Sequence, residues 1–125
     1  GKIQRLPDSL DRYADFLLAR FPFKKLHKKP KLIIDCSNGA ASKIGHQVFH
    51  DALFDTRFIH DAPDGKNIND NCGSQHTRDL RNRVLKEKAD IGLAFDGDAD
   101  RLIAIDERGN GNLGKIYNYK VWWRW

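Results

Sequence analysis

The sequence has 125 residues, of which 40% are hydrophobic and 31% are charged, and its formal net charge is +5. This composition predicts one globular domain and excludes a disordered or fibrous chain. No apolar run approaches the roughly 18 residues of a membrane span, and the N-terminus lacks a signal-peptide pattern, so we expect a cytoplasmic protein without a membrane partner. Two cysteines are too few for a disulfide framework and are expected to be thiols. The chain starts at Gly1 and contains no methionine, so we expect it to have been cut from a longer protein.

The first predicted element is an amphipathic helix. Its apolar side chains recur at helical spacing, and they are Leu10, Tyr13, Ala14, Leu17, Leu18 and Phe21. Asp8 or Ser9 is placed to cap the start of this helix, and Pro22 is placed to end it.

A lysine-rich segment follows the helix and carries much of the positive charge. Its lysines are Lys24, Lys25, Lys28, Lys29 and Lys31. Such a cluster is one way to contact nucleic acid, but this one has no interleaved aromatic side chains on which bases would stack. We therefore interpret the segment as a solvated connector and expect no nucleic-acid partner, with a basic nucleic-acid-binding domain as the alternative.

Strand and helix patterns alternate from residue 31 onward. The predicted elements are strands at residues 31–36, 56–60, 91–95 and 102–106, and helices with apolar stripes from Ala41 to Leu53 and from Leu80 to about Lys88. A long polar loop, residues 61–75, precedes the last of these helices. Alternation of this kind is typical of a parallel sheet covered by helices.

The last two strands are joined differently, because only residues 96–100 separate them. A parallel connection needs about a dozen residues, so the fourth strand must run antiparallel. Residues 1–110 are therefore predicted to form a three-layer α/β/α domain whose small mixed sheet has three parallel strands and one antiparallel edge strand. The aromatic run at residues 111–125 does not fit this pattern and is interpreted as an atypical tail.

The short connection between these strands carries three aspartates at alternate positions, Asp96, Asp98 and Asp100, followed by Arg101. Such carboxylates repel one another, and a bound cation removes that cost. Ligands that offer only oxygen select a hard cation. A site with only a small number of protein ligands favours Mg²⁺, because Mg²⁺ keeps water or phosphate in its remaining positions. The loop therefore predicts a Mg²⁺ site, and the planar guanidinium of Arg101 suits a phosphate oxygen beside the metal.

Two other interpretations of this loop are a plain polar turn and an EF-hand. A turn needs one Asp-Gly pair rather than three aspartates. An EF-hand would place Glu107 at its twelfth position, but Arg101 stands where that loop requires glycine, and the flanking segments are predicted to be strands. Cys72 and His76 offer a thiol near a base, yet nothing beside them would orient the pair, so both are interpreted as ordinary loop residues.

With these motifs in place, the chain resembles the α-D-phosphohexomutase superfamily, and the phosphoglucosamine mutases within it. Residues 1–110 resemble the second of that family's four domains, and residues 96–101 resemble its metal-binding loop. Residues 35–40 resemble the D-C-A-N-G-A after its first strand, with Ser37 in place of alanine. Residues 63–74 resemble the P-D-G-x-N-I-N-x-x-C-G-S segment of the glucosamine branch, where phosphomannomutases and phosphoglucomutases usually carry a different, proline-rich segment.

The resemblance implies Asp96, Asp98 and Asp100 as Mg²⁺ ligands and Arg101 as a catalytic residue that helps to hold the transferring phosphoryl group. It implies interconversion of glucosamine 6-phosphate and glucosamine 1-phosphate through a phosphoserine and a bisphosphate intermediate, with a hexosamine phosphate and the other domains of the enzyme as partners. The serines of this chain, Ser9, Ser37, Ser42 and Ser74, do not lie in the family's phosphoserine motif. We therefore expect the isolated fragment to be inactive. The alternatives are a phosphomannomutase or phosphoglucomutase fragment and a stand-alone cation-binding module.

Overall fold

A computed structural model describes residues 1–20, 28–50 and 52–111. The helices and strands occur in the order α1 (Ser9–Leu18), β1 (Lys31–Asp35), α2 (Ala41–Val48), β2 (Asp55–Ile59), α3 (Arg78–Glu87), β3 (Ile91–Phe95) and β4 (Leu102–Asp106). Within these described ranges, no helix has both the length and the apolar character needed to cross a bilayer.

The four strands form one sheet in the order β2-β1-β3-β4. The central strand β1 pairs in parallel with β2 on one side and with β3 on the other, with Ile34 opposite both Phe58 and Leu93. The last strand, β4, runs antiparallel to β3. The predicted mixed sheet, with three parallel strands and one antiparallel edge strand, is confirmed.

Apolar side chains on the two faces of the sheet form two separate cores. Successive residues of a strand point to opposite faces, so Ile33 packs with the α3 residues Leu80 and Val84. Its neighbours Leu32 and Ile34 pack on the other face with Ala41 of α2. The helices α2 and α3 therefore cover opposite faces, which gives the predicted three layers.

The second helix is shorter than its apolar stripe predicted. It ends at Val48, and Phe49 leaves the helical conformation with φ −101° and ψ 44°. The chain turns there because it must re-enter the sheet at Asp55, and the carbonyl of His50 accepts from the amides of both Leu53 and Phe54. Phe49 and Leu53 still pack against the core beneath α2, so the stripe correctly predicted burial but not helix.

The first helix packs on α2. Ala14 is its buried residue, whereas Tyr13 remains 53% exposed. Asp8 stands at the N-cap position but its side chain makes no capping hydrogen bond. The predicted roles of Phe21 and Pro22, part of the lysine-rich segment, and the tail from residue 112 onward lie outside the described residues.

An ion pair fastens the amino end of β1 to the turn before β3. Lys28 Nζ lies 2.8 Å from Asp90 Oδ1, and the backbone amide of Lys31 donates to Asp90 Oδ2 at 2.8 Å. The hydrogen bond from Lys28, followed by that from Lys31, lowers the pKa of Asp90. These contacts of Asp90 lie at one end of the sheet, and the loops described next lie at the opposite end.

Candidate metal centre and the loops around it

Three loops meet at the carboxyl ends of β1, β2 and β3. They are the β1–α2 turn (residues 36–40), the asparagine loop (residues 61–75) and the carboxylate loop (residues 96–101). Because β2 and β3 lie on opposite sides of β1, the connections after β1 and β3 diverge here. Open α/β sheets bind ligands in the crevice that forms at such a point.

The carboxylate loop gathers its three aspartates at this edge. One oxygen each from Asp96, Asp98 and Asp100 lies within 4.8 Å of the others. Asp96 is buried, with 2% of its surface exposed, whereas Asp98 and Asp100 face solvent. The turn closes through a 3.0 Å bond from the Ala99 amide to the Asp96 carbonyl, with Ala99 in the left-handed region at φ 62°. This tight turn aims alternate side chains to one side.

Arg101 neutralises the buried member of the set. Its backbone amide donates to Asp96 Oδ1 at 3.0 Å, and its Nε donates to Oδ2 at 2.6 Å. Burial opposes ionisation of Asp96, but these hydrogen bonds outweigh it and lower the pKa of Asp96. A hydrogen bond shared with Asp96, then burial and the charges of Asp96 and Asp98, raise the pKa of Asp100. The loop thus holds more negative charge than Arg101 balances.

This donor set fits a hard divalent cation. All three side chains offer oxygen, and two of them are exposed, which leaves room for water or phosphate as further ligands. The EF-hand alternative is wrong, because β3 and β4 flank the loop and β4 carries Glu107 to the other end of the sheet. Glu107 therefore cannot supply the twelfth ligand of such a loop.

The β1–α2 turn lies directly against the carboxylate loop. The Ala40 amide donates to the Gly97 carbonyl at 2.8 Å. A side chain at Gly39 would collide with the backbone of Gly97, so glycine is required for this approach. The backbone that carries the aspartates is therefore fixed by the turn after β1.

The asparagine loop lies on the same two loops. The Asn69 amide donates to the Ser37 carbonyl at 2.9 Å, and the Ser74 amide donates to the Phe95 carbonyl at 3.0 Å. A Cβ atom placed on Gly97 would come within 2.8 Å of the side chains of Ile68 and Asn69. Two segments that the sequence linked only by resemblance, the asparagines and the aspartates, are in contact.

Asp35 joins the asparagine loop to the sheet, and the sequence analysis missed this role. Its carboxylate is completely buried at the end of β1. Oδ1 accepts from the Ser37 amide at 2.9 Å, and Oδ2 accepts from the Gly73 amide at 2.8 Å. The available signal was an aspartate that follows the apolar run at residues 32–34, since a buried charge must be hydrogen-bonded.

His60 and Cys72 lie beside Asp35, so that one ligand atom of each is within 4.8 Å of the others. His60 has a left-handed backbone, with φ 49°. Cys72, interpreted from the sequence as an ordinary loop residue, is buried, and burial together with the charges of Asp35 and Asp70 raises the pKa of its thiol to about 11. Cys36 is also a free, buried thiol.

The fold is that of a phosphohexomutase α/β/α domain. Residues 11–111 match the family model described as phosphoglucomutase/phosphomannomutase, alpha/beta/alpha domain II. The chain belongs to this family.

Within this family, the chain is similar to proteins named phosphoglucosamine mutase. Phosphoglucosamine mutase of Desulforapulum autotrophicum is 52% identical over 113 residues, which cover 87% of this chain and 24% of the relative. That of Syntrophus aciditrophicus is 46% identical over 110 residues, or 88% of this chain and 24% of the relative. The chain thus spans about a quarter of the length of the curated relatives it matches.

Solved structures agree on the fold. A phosphoglucomutase/phosphomannomutase family protein from Burkholderia thailandensis superposes with a TM-score of 0.66 at 26% identity, covering 82% of this chain and 22% of that one. An N-acetylglucosamine-phosphate mutase in a substrate complex gives a TM-score of 0.53 at 22% identity, over 86% of this chain and 22% of that chain, and supports the fold alone.

Proposed function

We propose that this chain is the metal-binding domain of a phosphoglucosamine mutase. The complete enzyme would interconvert glucosamine 6-phosphate and glucosamine 1-phosphate by Mg²⁺-dependent phosphoryl transfer, through a phosphoserine and a bisphosphate intermediate, in the cytoplasm. The observation that carries the proposal is the convergence of Asp96, Asp98 and Asp100 within 4.8 Å, in a chain 52% identical to a phosphoglucosamine mutase. Its substrate and the remaining domains are its proposed partners.

In this proposal the three aspartates hold Mg²⁺, which would neutralise phosphate charge as a Lewis acid. Arg101 has two tasks. Through Nε it keeps Asp96 ionised and oriented, and its side chain, 44% exposed, presents the rest of the guanidinium to a phosphate oxygen. Phosphoryl transfer depends mostly on positioning the phosphoryl group and neutralising its charge. The three aspartates with their cation, together with Arg101, would do both.

The asparagine loop supports the glucosamine assignment by its position. Its contacts with Gly97 and Ser37 keep it against the carboxylate loop, so its exposed face borders the same crevice. A phosphomannomutase or phosphoglucomutase remains the alternative within the family.

The metal assignment is tested by a Mg²⁺ titration of the 125-residue chain followed by thermal unfolding. A cation that binds the folded state alone adds about 1.4 kcal/mol of stability at ten times its Kd, a shift of several degrees for a domain of this size. Asp98→Asn should abolish the shift. Asp8→Asn, which removes an exposed carboxylate that makes no capping bond, is the matched control and should keep it. An unchanged shift in Asp98→Asn would refute the assignment.

The enzymatic assignment is tested by a chimera. Residues 1–111 of this chain replace the matching segment of the Desulforapulum autotrophicum enzyme, and conversion of glucosamine 6-phosphate is measured. We expect an active chimera that Asp98→Asn or Arg101→Ala inactivates and Asp8→Asn does not. A folded but inactive chimera would contradict the proposal.

A stand-alone cation-binding module is the second candidate, because the carboxylate loop takes all three aspartates from one turn. It predicts Mg²⁺ binding by the isolated chain together with an inactive chimera. We also expect the isolated chain to be inactive, and conversion of glucosamine 6-phosphate by the purified chain would contradict that expectation.

A further inference from the structure

We propose a second metal site in this domain, selective for Zn²⁺, at Asp35, His60 and Cys72. The site is separate from the carboxylate loop and shares none of its residues. It lies where the asparagine loop joins the ends of β1 and β2, and it does not depend on the proposed mutase function.

The donor set differs in kind from the carboxylate loop. It combines the carboxylate of Asp35, an imidazole nitrogen of His60 and the sulfur of Cys72. Thiolate and imidazole favour Zn²⁺, whereas Mg²⁺ prefers oxygen ligands alone. The two groups of ligands in this chain would therefore select different cations.

The distances are close to those of a bound ion. All three donor atoms lie within 4.8 Å of one another, and His60 Nδ1 lies 3.1 Å from Asp35 Oδ2. Even at the full spacing, an ion at the centre would lie about 2.8 Å from each atom, against roughly 2.0–2.3 Å for zinc bonds. Contraction of less than about 1 Å suffices, and the His60 side chain, 26% exposed, has solvent on one side.

The His60 imidazole points Nδ1 at the Asp35 carboxylate without forming a hydrogen bond to it. Within the described part of the chain, its buried Nδ1 has no hydrogen-bond partner, although it faces Asp35 at 3.1 Å. Its other nitrogen, Nε2, lies 3.5 Å from Asp79 Oδ2. A metal-bound histidine characteristically directs its second nitrogen to a carboxylate. The left-handed backbone at residue 60 is a conformation that a non-glycine residue adopts only when its surroundings hold it there.

The charges balance once the ion is bound. Asp35 is a completely buried carboxylate, and a buried charge requires compensation. Zn²⁺ would displace the proton of the Cys72 thiol to solvent, and the carboxylate and thiolate together would offset its two positive charges. The fourth coordination position would be left for water on the exposed side of His60.

A Zn²⁺ ion at this site would link three segments of the chain. Asp35 ends β1, His60 follows β2, and Cys72 belongs to the asparagine loop. At this point a hydrogen bond from the Gly73 amide joins the asparagine loop to Asp35. Bound Zn²⁺ would add coordinate bonds that link the loop to the ends of both strands. We therefore expect Zn²⁺ to slow amide exchange in residues 61–75.

The test is a Co²⁺ titration of the reduced 125-residue chain, monitored by the thiolate-to-cobalt charge-transfer absorption. We expect one Co²⁺ per chain, displaced by Zn²⁺ and retained in a large excess of Mg²⁺. A chain that shows no charge-transfer band would overturn the proposal, as would displacement by Mg²⁺.

Matched variants identify the ligands. Cys72→Ser should abolish the band, whereas Cys36→Ser, which changes the other buried thiol, should leave it intact. His60→Asn suits a left-handed backbone and removes one of the three ligands, so it should weaken Zn²⁺ binding by more than the roughly tenfold that loss of an outer hydrogen-bonding partner costs. Asp98→Asn should change nothing. A band that survives in Cys72→Ser, or that disappears in Cys36→Ser, refutes this ligand set.

Discussion

Replacing Asp35 by asparagine turns one of its two buried acceptors into a donor. The carboxylate accepts from the Ser37 amide on one oxygen and from the Gly73 amide on the other. An asparagine keeps one of these bonds and places its NH₂ group against the second amide, donor facing donor. The substitution changes little volume, so its effect comes from hydrogen bonding and charge rather than from packing.

The expected cost follows from those two bonds. A hydrogen bond to a charged group contributes about 1.5–3 kcal/mol, and a buried donor left without a partner costs about 1–3 kcal/mol. Since a neutral bond is retained at one amide, we expect Asp35→Asn to lower the free energy of unfolding by roughly 2–4 kcal/mol. A domain has about 5–15 kcal/mol in total, so the variant should still fold.

The measurement is equilibrium unfolding in urea, compared at a common m value. Asp55→Asn is the control, because it removes a carboxylate at the start of β2 whose side chain is 46% exposed, and we expect it to cost less than about 1 kcal/mol. Amide exchange should accelerate at Gly73 in Asp35→Asn alone. A cost for Asp35→Asn no greater than that of the control would refute the reasoning that this carboxylate joins the loop to the sheet.

Three further outcomes are expected. Gly39→Ala collides with the backbone of Gly97 and should cost about 1–3 kcal/mol while weakening Mg²⁺ binding. In Gly97→Ala the nearest atoms belong to the side chains of Ile68 and Asn69, which can shift more easily than backbone, so this substitution should cost less. Equal costs in urea unfolding would contradict the backbone contact at Gly39. The pKa of Asp90 is lowered in the folded state, so its stabilising contribution is complete above about pH 4 and is lost as the pH falls through the lowered value. Asp90→Asn should therefore flatten the acid side of the stability profile measured by urea unfolding, and an unchanged profile would count against this. Leu80→Ala empties a completely buried position and should cost about 2–5 kcal/mol in the same assay; a cost below about 1 kcal/mol would place the core elsewhere.

Local patterns were sufficient to predict most of the fold. The bounds of β3 and β4 agree with the prediction, because a short apolar run between polar turns has few other solutions. The antiparallel direction of β4 followed from the length of one connection. The end of α2 was not predictable in this way, since the turn at Phe49 depends on where the chain must re-enter the sheet.

In the candidate site, too, groupings within one short segment were predictable and those between distant segments were not. The carboxylate loop is local in sequence, so its three aspartates could be recognised from spacing alone. The partner of the Asp35 carboxylate could not be predicted, because Gly73 is 38 residues away and nothing in the intervening sequence specifies that contact. The grouping of Asp35 with His60 and Cys72 likewise required the three-dimensional arrangement.

The antiparallel last strand has a mechanical consequence. Asp106 pairs with Ile91, which in turn lies beside Leu32, so β4 ends at the end of the sheet where β1 begins. The carboxylate loop is at the far end, one strand length away, or about 17 Å for five residues. A rotation of the sheet by about 10° about that end would therefore move the carboxylate loop by about 3 Å, the length of a hydrogen bond, so a small change in orientation makes or breaks whole contacts at the loop.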